Sequence, residues 1–401
     1  FSHAVLVCKR GALGCSVFEE DIPDDLDGGL NVYGVRVEVL NVLGAGDAFM
    51  SGLIRGYINN EGWEQSCRYA NACGALVVSR HGCAPAMPTK AELDNYLARA
   101  ESVPRPDLDP QLNHLHRVTT RKAKWDNLCI FAFDHRKQLV DLAEKCGADV
   151  KRIPKLKQLL LQAAERTAQE EGIYDGQAGI LADTTFGQAA LNERTAQEEG
   201  IYDGQAGILA HHKYWWIGRP IELPASRPLR LEYGDLGSQL ASWPQEHVVK
   251  CLVFYHPKDS IEMKTEQDAT LKQVYQACCR TGHELLLEVI LPSDMEQNEE
   301  YYAEIITHFY HLGIKPDWWK LPGVSAKAWA HISEVIQAND PYCRGILILG
   351  LDAPEDKFKA VFDASANAPL VKGFAVGRTI FGQPSGDWLS GKLTDDGLVA
   401  E

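Results

Sequence analysis

Short apolar runs alternate with stretches of helical periodicity along the larger, C-terminal part of the chain. Eight runs are almost wholly apolar: LCIFAFD (128–134), AGILAD (178–183), IELPA (221–225), KCLVFYH (250–256), ELLLEVI (284–290), DWWKLPG (317–323), GILILGL (345–351) and VKGFAVGR (371–378). Apolar strands that are separated by helices are typical of a parallel sheet buried on both faces. Eight of them predict an α/β fold, a (β/α)8 or TIM barrel over residues 127–401.

The first hundred residues follow a mixed pattern that predicts a separate, smaller domain. Its predicted elements are a strand at AVLVC (4–8), a turn at 10–14, and helices that begin at the GAGD turn (44–47) and run over 64–78 and 89–99. Thr89 is the expected cap of the last helix, with Glu92 at the capping-box position. Residues 101–126 carry prolines and many charges without a sustained period, which predicts a linker between a domain at 1–100 and the barrel.

One segment, ERTAQEEGIYDGQAGILA, occurs twice, at 165–182 and at 193–210, identical over all 18 residues. The offset of 28 residues is too short for a barrel repeat, and two copies are too few for a solenoid. A tandem duplication or an error in the sequence explains the segment better than a functional repeat. We expect the first copy to supply a barrel strand and the second to lie outside the regular barrel order.

Composition and charge exclude several classes of function. The chain has 401 residues, of which 45% are hydrophobic, and it carries a net charge of -15. This acidity argues against a surface for nucleic acid or for an anionic membrane. No apolar run approaches the roughly 18 residues of a membrane span. Eleven scattered cysteines without a CxxC pair or a signal peptide predict reduced thiols, a cytoplasmic location and no metal site.

The turn at residues 44–47 has the residue types that bind an anion at a helix N-terminus. Gly44, Ala45 and Gly46 let the backbone approach a ligand closely, and the first N–H groups of the helix point at it. Asp47 lies where a carboxylate takes a proton from a hydroxyl group that attacks phosphorus. The alternative is an ordinary strand-to-helix turn, in which glycine provides the geometry and Asp47 caps the helix.

The longer string NVLGAGDAFMSG (41–52) resembles the C-terminal signature of the ribokinase-like (PfkB) carbohydrate kinases. NACGALVVSRHGCAPAMPTKAEL (71–93) resembles the segment that flanks their adenine pocket. The resemblance covers about residues 1–100 and implies the C-terminal part of a ribokinase-like α/β domain that uses ATP and Mg²⁺. It implies that Asp47 is the general base and that Asn71 lies near the nucleotide. It also implies that the anion hole is formed by Gly44, Ala45 and Gly46.

In those kinases the sugar-binding strands, the lid and the first glycine-rich signature all precede this motif. The chain also opens with Phe1 rather than with methionine. We therefore expect a fragment, in which the kinase part is truncated and inactive on its own.

Polar residues stand at the C-terminal ends of the predicted barrel strands, the edge at which barrels have their active sites. They are Asp134, His135, Arg136, Asp183, Lys250, His256, Glu288, Lys320, Asp352 and Arg378. Lys320 is the expected nucleophile, because burial depresses the pKa of a lysine and frees its amine to attack carbonyl groups. Glu288 lies in the apolar run LLLEVI, a setting that raises the pKa of a carboxyl group for acid–base work. Gly350, Gly377 and Arg378 follow the last two strands, where barrels commonly bind phosphate.

Two other interpretations of these residues stay open. A Lys–Glu pair inside a barrel also has purely structural uses. His135 and His256 are of a metal-ligand type, although neither a third ligand nor the spacing of a zinc site accompanies them.

Several segments of the second region carry a further resemblance: FAFDHRKQL, KCLVFYHP, LLLEVI, PDWWKLP and GFAVGRTIF. They resemble a bacterial domain that is fused behind an inositol-pathway sugar kinase, and more distantly the class I tagatose-bisphosphate aldolases. The resemblance implies that Lys320 forms a Schiff base, without any cofactor in the barrel, and that Glu288 transfers protons. It also implies that the site is lined by Asp134, Arg136 and Lys250.

The two regions together resemble the bifunctional 5-dehydro-2-deoxygluconokinases of myo-inositol catabolism. This implies ATP-dependent phosphorylation of 5-dehydro-2-deoxy-D-gluconate, with an aldolase-like lyase barrel that acts on the phosphorylated sugar acid. The expected partners are small sugar acids and sugar phosphates, with no nucleic acid and no membrane, and homo-oligomer formation stays open. Two alternatives for the barrel are a non-catalytic sugar-phosphate-binding or scaffolding module and a metal-dependent aldolase.

Overall fold

The computed structural model describes residues 4–20, 24–121, 123–173, 176–198, 215–350 and 355–401. The chain divides into two compact units, Phe1–Lys122 and Ala123–Glu401. In the described ranges, no helix combines the length and the apolar character that crossing a membrane requires.

The first unit combines a small antiparallel sheet with four α-helices. Its strands are β1 (Leu6–Lys9), β2 (Cys15–Phe18) and β3 (Leu30–Val32), and its helices are α1 (Ala45–Ile58), α2 (Gly62–Val78), α3 (Lys90–Leu97) and α4 (Pro110–Thr119). The predicted turn between β1 and β2 is present, with the Arg10 amide donating to the Gly14 carbonyl at 2.7 Å. The predicted capping box is confirmed, since the Thr89 side chain accepts from the Glu92 amide and Glu92 reaches back to the Thr89 amide.

The stretch expected to be a linker contains helix α4. Asp109 caps this helix by accepting a hydrogen bond from the Leu112 amide at 2.8 Å. Leu112, Leu115 and Val118 are buried at a spacing of three residues, so the helix has an apolar face. The prolines and charges of this stretch concealed a short amphipathic pattern.

The second unit is a closed barrel of eight parallel strands, which confirms the predicted (β/α)8 fold. The strands, in their order around the barrel, are β4 (Leu128–Ala132), β5 (Ala178–Leu181), β6 (Trp216–Pro220), β7 (Val248–Phe254), β8 (Leu285–Ile290), β9 (Trp318–Pro322), β10 (Gly345–Leu349) and β11 (Val371–Val376). The helices are α5 (Lys137–Lys145), α6 (Ile153–Glu170), α7 (Thr184–Glu198), α8 (Leu236–Ala241), α9 (Ile261–Thr281), α10 (Glu300–His311), α11 (Ala326–Asn339), α12 (Glu355–Ser365), α13 (Arg378–Leu389) and α14 (Asp395–Ala400). The last strand, β11, pairs with the first, β4, and closes the barrel.

The third barrel strand lies at Trp216–Pro220, so the prediction of a strand over 221–225 is wrong. The true strand carries Gly218, Arg219 and Pro220, which interrupt the apolar signal in the sequence. Gly218 is required there, because a Cβ would lie 2.3 Å from the side chain of Leu181 and 2.7 Å from that of Trp216.

The first copy of the repeated segment supplies strand β5, as expected. Its opening residues, ERTAQE at 165–170, end helix α6, and the same six residues at 193–198 end helix α7. The rest of the second copy, from 199 onward, lies outside the described residues. One hexapeptide therefore adopts the same helical conformation at both places.

One apolar cluster fills the barrel interior. Alternate strand residues form it: Leu128, Ile130, Ala132, Leu181, Trp216, Val248, Leu286, Trp318, Leu347 and Ala375. The rings of Trp216 and Trp318 meet edge to face, with 6.2 Å between their centroids. The intervening residues point outward and pack under the helices, as the period of two in a strand requires.

A fully buried ion pair joins helix α6 to the end of strand β5. Lys157 and Asp183 are both inaccessible to solvent, and Lys157 Nζ also donates to the His135 carbonyl at 2.9 Å. The second carboxylate oxygen of Asp183 accepts from the amides of Phe186 and Gly187 at the start of α7. Burial lowers the pKa of Lys157, although Asp183 opposes this shift.

We expect Asp183→Ala to destabilise the barrel by about 3–5 kcal/mol, because the variant leaves Lys157 as a buried charge without its counter-ion. The loss in unfolding free energy relative to the wild type should shrink as the pH rises from 7 to 9. In this range burial favours the neutral amine in the folded variant, whereas the lysine of the unfolded chain still binds a proton. Urea unfolding followed by tryptophan fluorescence measures this, since eight of the nine tryptophans lie in the barrel unit.

The matched control is Asp141→Ala, which removes an exposed ion pair between Lys137 and Asp141 on helix α5. This change should alter stability by no more than about 0.5 kcal/mol. Equal effects of the two substitutions would contradict a structural role for the buried pair.

A candidate active site at the mouth of the barrel

A cavity of about 360 Å³ opens at the C-terminal ends of the barrel strands. Eight barrel residues to which the sequence analysis gave a catalytic or binding role line it: Asp134, Arg136, Lys250, Glu288, Lys320, Gly350, Gly377 and Arg378. The structure therefore brings together side chains from strands or strand ends that are far apart in the sequence.

The charged residues of the cavity continue the inward-facing rows of the strands. Lys250 stands two residues after Val248, Glu288 two after Leu286, and Lys320 two after Trp318. Because alternate residues of a strand share one face, each charged side chain lies directly above the apolar cluster. Glu288 and Lys320 are also register partners on β8 and β9. The barrel is thus dry below the site and polar at its mouth.

Lys250 is surrounded by three carboxylates. Its Nζ lies 2.9 Å from Glu222 Oε1, 3.0 Å from Glu288 Oε2 and 3.2 Å from Asp134 Oδ2. Burial alone would lower the pKa of Lys250, but the three carboxylates outweigh it and hold that pKa well above its usual value. Lys250 is therefore a fixed cation at any ordinary pH.

Lys320 has a simpler environment. Its Nζ contacts Glu288 Oε1 at 3.1 Å, and no second carboxylate lies within ion-pair distance of it among the described residues. The side chain is buried and its amine lines the cavity. Of the two lysines, Lys320 thus has the fewer carboxylate partners.

Glu288 bridges the two lysines, one through each carboxylate oxygen. We expected a raised pKa for this buried carboxyl group, and that expectation is wrong. Burial does raise its pKa, but Lys250 and Lys320 outweigh burial and leave the pKa below its usual value. Glu288 is consequently an ionised carboxylate at rest, suited to accept a proton.

Asp134 and Arg136 lie on the loop after β4. Burial would raise the pKa of Asp134, but Lys250 is the largest of several positive influences that keep it far below its ordinary value. Arg136 Nη2 donates to Glu222 Oε1 at 3.2 Å, and its Nη1 pairs with Glu232.

Glu222 is a central residue of the site that the sequence reasoning missed. One of its oxygens accepts hydrogen bonds from both Lys250 and Arg136, and the other accepts one from the Leu252 amide at 3.1 Å. Glu232 was missed as well. Glu222 stands two residues after the end of strand β6, but the third strand had been placed on top of it and hid that signal.

The opposite wall of the cavity has a positive end. Gly377 precedes helix α13, and Arg378 is its first residue. A Cβ at Gly377 would lie 1.8 Å from the Ala132 carbonyl oxygen, so only glycine fits there. A helix N-terminus beside an arginine is suited to an anionic group.

Other polar residues at the predicted strand ends have different surroundings. Asp183 is occupied by Lys157, outside the cavity. His256 is buried in a loop, where its ring accepts from the Lys258 amide and contacts the Glu296 carbonyl at 2.9 Å. Asp352 lies outside the described residues. Among the residues that the structure does describe, no group of three His, Cys, Asp or Glu side chains is arranged to hold a metal ion.

The GAGD turn of the first unit has the conformation that an anion requires. Gly44 is left-handed, with φ 84°, and begins helix α1. A Cβ on Gly46 would lie 3.2 Å from Lys9 Nζ, so a cationic group stands beside the open first turn. Asp47 is exposed on that turn. Backbone N–H groups of Gly44 and Gly46 would suit a phosphate group of ATP, whereas the Ala45 amide donates to the Val42 carbonyl at 3.3 Å.

Asn71 is buried in helix α2. Its side-chain amide donates to the carbonyls of Val32 and Tyr33 at 3.0 and 3.1 Å. In this structure Asn71 therefore holds the end of strand β3.

Comparison with known proteins gives a kinase match for the first unit. Residues 2–90 match the pfkB family of carbohydrate kinases. A probable chloroplastic fructokinase-6 from Arabidopsis thaliana is 33% identical over 103 residues, which are 24% of this chain and 25% of that protein. The 5-dehydro-2-deoxygluconokinase 1 of Bacillus cereus is 33% identical over 105 residues, 26% of this chain and 30% of that protein. The chain thus spans about a quarter to a third of these relatives.

The barrel has likenesses among solved structures. A fructose-bisphosphate aldolase from Plasmodium falciparum, solved with TRAP and a small-molecule inhibitor, has a TM-score of 0.47 at 11% identity. The likeness covers 71% of this chain and 88% of the aldolase chain. Residues 92–401 also match the family described as "Uncharacterized protein conserved in bacteria (DUF2090)". Since this match spans more than half of the chain, the chain belongs to the DUF2090 family.

Proposed function

We propose that the barrel is a Schiff-base lyase that cleaves a carbon–carbon bond in a phosphorylated sugar acid. The observation that carries this proposal is the unequal environment of the two lysines. Lys250 is held as a cation by three carboxylates, whereas Lys320 lines the cavity and has Glu288 as its one carboxylate partner in the described part of the chain. A nucleophilic amine beside a fixed cation and an ionised carboxylate is the set of groups that an aldol cleavage requires.

The residues support a complete reaction. The amine of Lys320 attacks a ketone carbon, and loss of water gives a Schiff base. The Glu288 carboxylate takes the proton of the hydroxyl group at the far end of the bond to be cleaved. The bonding pair moves toward the Schiff-base nitrogen and the aldehyde leaves. A proton then returns to the enamine carbon, and water releases the ketone and restores Lys320.

The remaining residues would bind and orient the substrate. Arg378 and the start of helix α13 suit its phosphate, with Gly350 and Gly377 leaving room for it. Lys250 places a positive charge where the hydroxyl oxygen becomes negative during cleavage. Asp134 contacts Lys250, and Arg136 shares Glu222 with Lys250.

The substrate we propose is phosphorylated 5-dehydro-2-deoxy-D-gluconate, which would yield dihydroxyacetone phosphate and malonate semialdehyde. This rests on the similarity of the first unit to 5-dehydro-2-deoxygluconokinases, whose product such a barrel would consume. The arrangement would be a kinase fused to the next enzyme of myo-inositol catabolism. Its first part would use ATP and Mg²⁺, with Asp47 as the base.

Borohydride should trap dihydroxyacetone phosphate on Lys320, giving one covalent adduct that mass spectrometry locates on the peptide containing 317–323. Lys320→Arg should abolish the adduct, because arginine keeps the positive charge beside Glu288 but cannot form a Schiff base. Lys250→Arg is the matched control and should still form it. An adduct on Lys250, or none on the wild-type chain, would rule the proposal out.

Metal chelation separates the lysine mechanism from a metal-dependent one. Cleavage through Lys320 needs no metal, so incubation with EDTA should leave the rate within about twofold of its untreated value. We would measure release of dihydroxyacetone phosphate with and without EDTA on the same preparation. A loss of activity that added divalent metal restores would favour the metal-dependent aldolase.

The second candidate function is a non-catalytic binding or scaffolding module. It is favoured by the closed ion-pair network, in which Lys250, Lys320, Glu288 and Arg136 all have partners of opposite charge. On this reading the cavity would bind sugar phosphates without turnover. The borohydride experiment decides between the two, since a scaffold needs no reactive amine.

For the first unit we expect no kinase activity from the chain alone. It matches only a quarter to a third of its kinase relatives, so Asp47 and the anion-binding turn would lack a sugar pocket. ADP formation from ATP and Mg²⁺ with 5-dehydro-2-deoxy-D-gluconate should equal that of an Asp47→Asn variant. Substrate-dependent turnover that the variant loses would show a working kinase instead.

A further inference from the structure

We propose that His135 recognises a hydroxyl group of the substrate, which donates a hydrogen bond to its Nε2 atom. The inference rests on the proposed lyase function, and adds a residue that selects hydroxylated ligands. His135 follows strand β4 and lines the same cavity as Lys320 and Arg378. It has no place in the reaction steps described above.

The imidazole ring of His135 is held firmly in position. It packs edge to face against Phe381, with 5.7 Å between ring centroids. Its Cε1 atom lies 3.1 Å from the position that a Cβ on Gly377 would take. Its backbone carbonyl is fixed by the buried amine of Lys157. A ring that is packed on two sides and anchored through its backbone is already ordered for binding.

Although it is held in place, the ring makes no hydrogen bond with any described residue. Its Nδ1 is buried and without a partner, and the nearest carboxylate oxygen, Asp134 Oδ1, is 4.0 Å away. That distance is too long for a hydrogen bond. Nε2 likewise has no hydrogen-bond partner among the described residues, and a fifth of the His135 side chain is exposed where the residue lines the cavity, so a ligand group can reach the ring there.

The charge state of the ring selects the kind of ligand group. Burial lowers the pKa of His135 to about 4, with Asp134 opposing and Arg378, Lys320 and Lys250 adding to the effect. A neutral imidazole has one N–H donor and one acceptor lone pair. Nδ1 faces the carboxylate of Asp134, so we assign the proton to Nδ1 and the lone pair to Nε2. A hydroxyl group can donate to that lone pair, whereas a phosphate or carboxylate oxygen cannot.

Two ligands without a carbonyl group test this assignment apart from the Schiff-base chemistry. Glycerol 3-phosphate carries hydroxyl groups, and propyl phosphate has the same three carbons and phosphate without them. By calorimetry the wild-type chain should bind glycerol 3-phosphate more tightly than propyl phosphate. His135→Phe should reduce this preference about fivefold to tenfold, the effect of one hydrogen bond, with the Kd for propyl phosphate unchanged.

Two further variants complete the design. His135→Gln keeps an acceptor oxygen and should retain part of the preference, which also covers the case in which the phenylalanine variant does not fold. His331→Phe, at a half-exposed histidine on helix α11 that contacts Glu300, should leave the preference unchanged. A wild-type chain without the preference would overturn the proposal, and so would a His135→Phe chain that keeps it. Trapping on Lys320 is measured separately, so a failure of the lyase proposal can be told apart from a failure of the proposal for His135.

Discussion

The two oxygens of Glu288 hold two lysines in fixed positions at the mouth of the barrel, and the chemistry of the site depends on that bridge. Two buried lysines, each about 3 Å from the same carboxylate, are tolerable only because each charge is paired. The pairing is made possible by strand alternation and register, which place Glu288 opposite Lys320 and one strand from Lys250. The tryptophan-rich cluster below keeps water out from that side, so the ion pairs lie at a boundary between a dry interior and an open cavity.

The carboxylates of the site are unevenly distributed between Lys250 and Lys320, and this difference distinguishes the two lysines. Lys250 has three carboxylate neighbours and Lys320 has one, which is why the proposed covalent role is given to Lys320. Glu222 widens the difference, because it adds a third partner to Lys250 and none to Lys320. Without Glu222, Lys250 would keep two carboxylate partners, Asp134 and Glu288, so the two amines would differ less.

Much of the barrel could be predicted from the sequence, because seven of its strands are apolar enough to stand out. Strand β6 could not be predicted, because Gly218, Arg219 and Pro220 break its hydrophobic pattern. Gly218 is set by packing against neighbouring side chains, and Arg219 by its contact with the Trp243 ring. The residues Lys320 and Glu288 could be singled out as charges inside apolar runs. The pKa direction of Glu288 could not, because it depends on which cations lie beside it, and that is a matter of three-dimensional register. Helix α4 was missed because its sequence signal, one capping residue and three apolar positions, is weak in a stretch rich in prolines.

The barrel closes where strand β11 meets strand β4, and the cavity straddles that seam. Asp134 and His135 come from one side, and Gly377 and Arg378 from the other, more than two hundred residues later in the chain. During synthesis Asp134 and His135 are therefore made long before Gly377 and Arg378, which are added when nearly the whole domain is complete. Contacts of such long sequence separation form late in folding. A chain that ended before its last strand would lack Gly377 and Arg378, so anion binding in the cavity would report on completion of the fold.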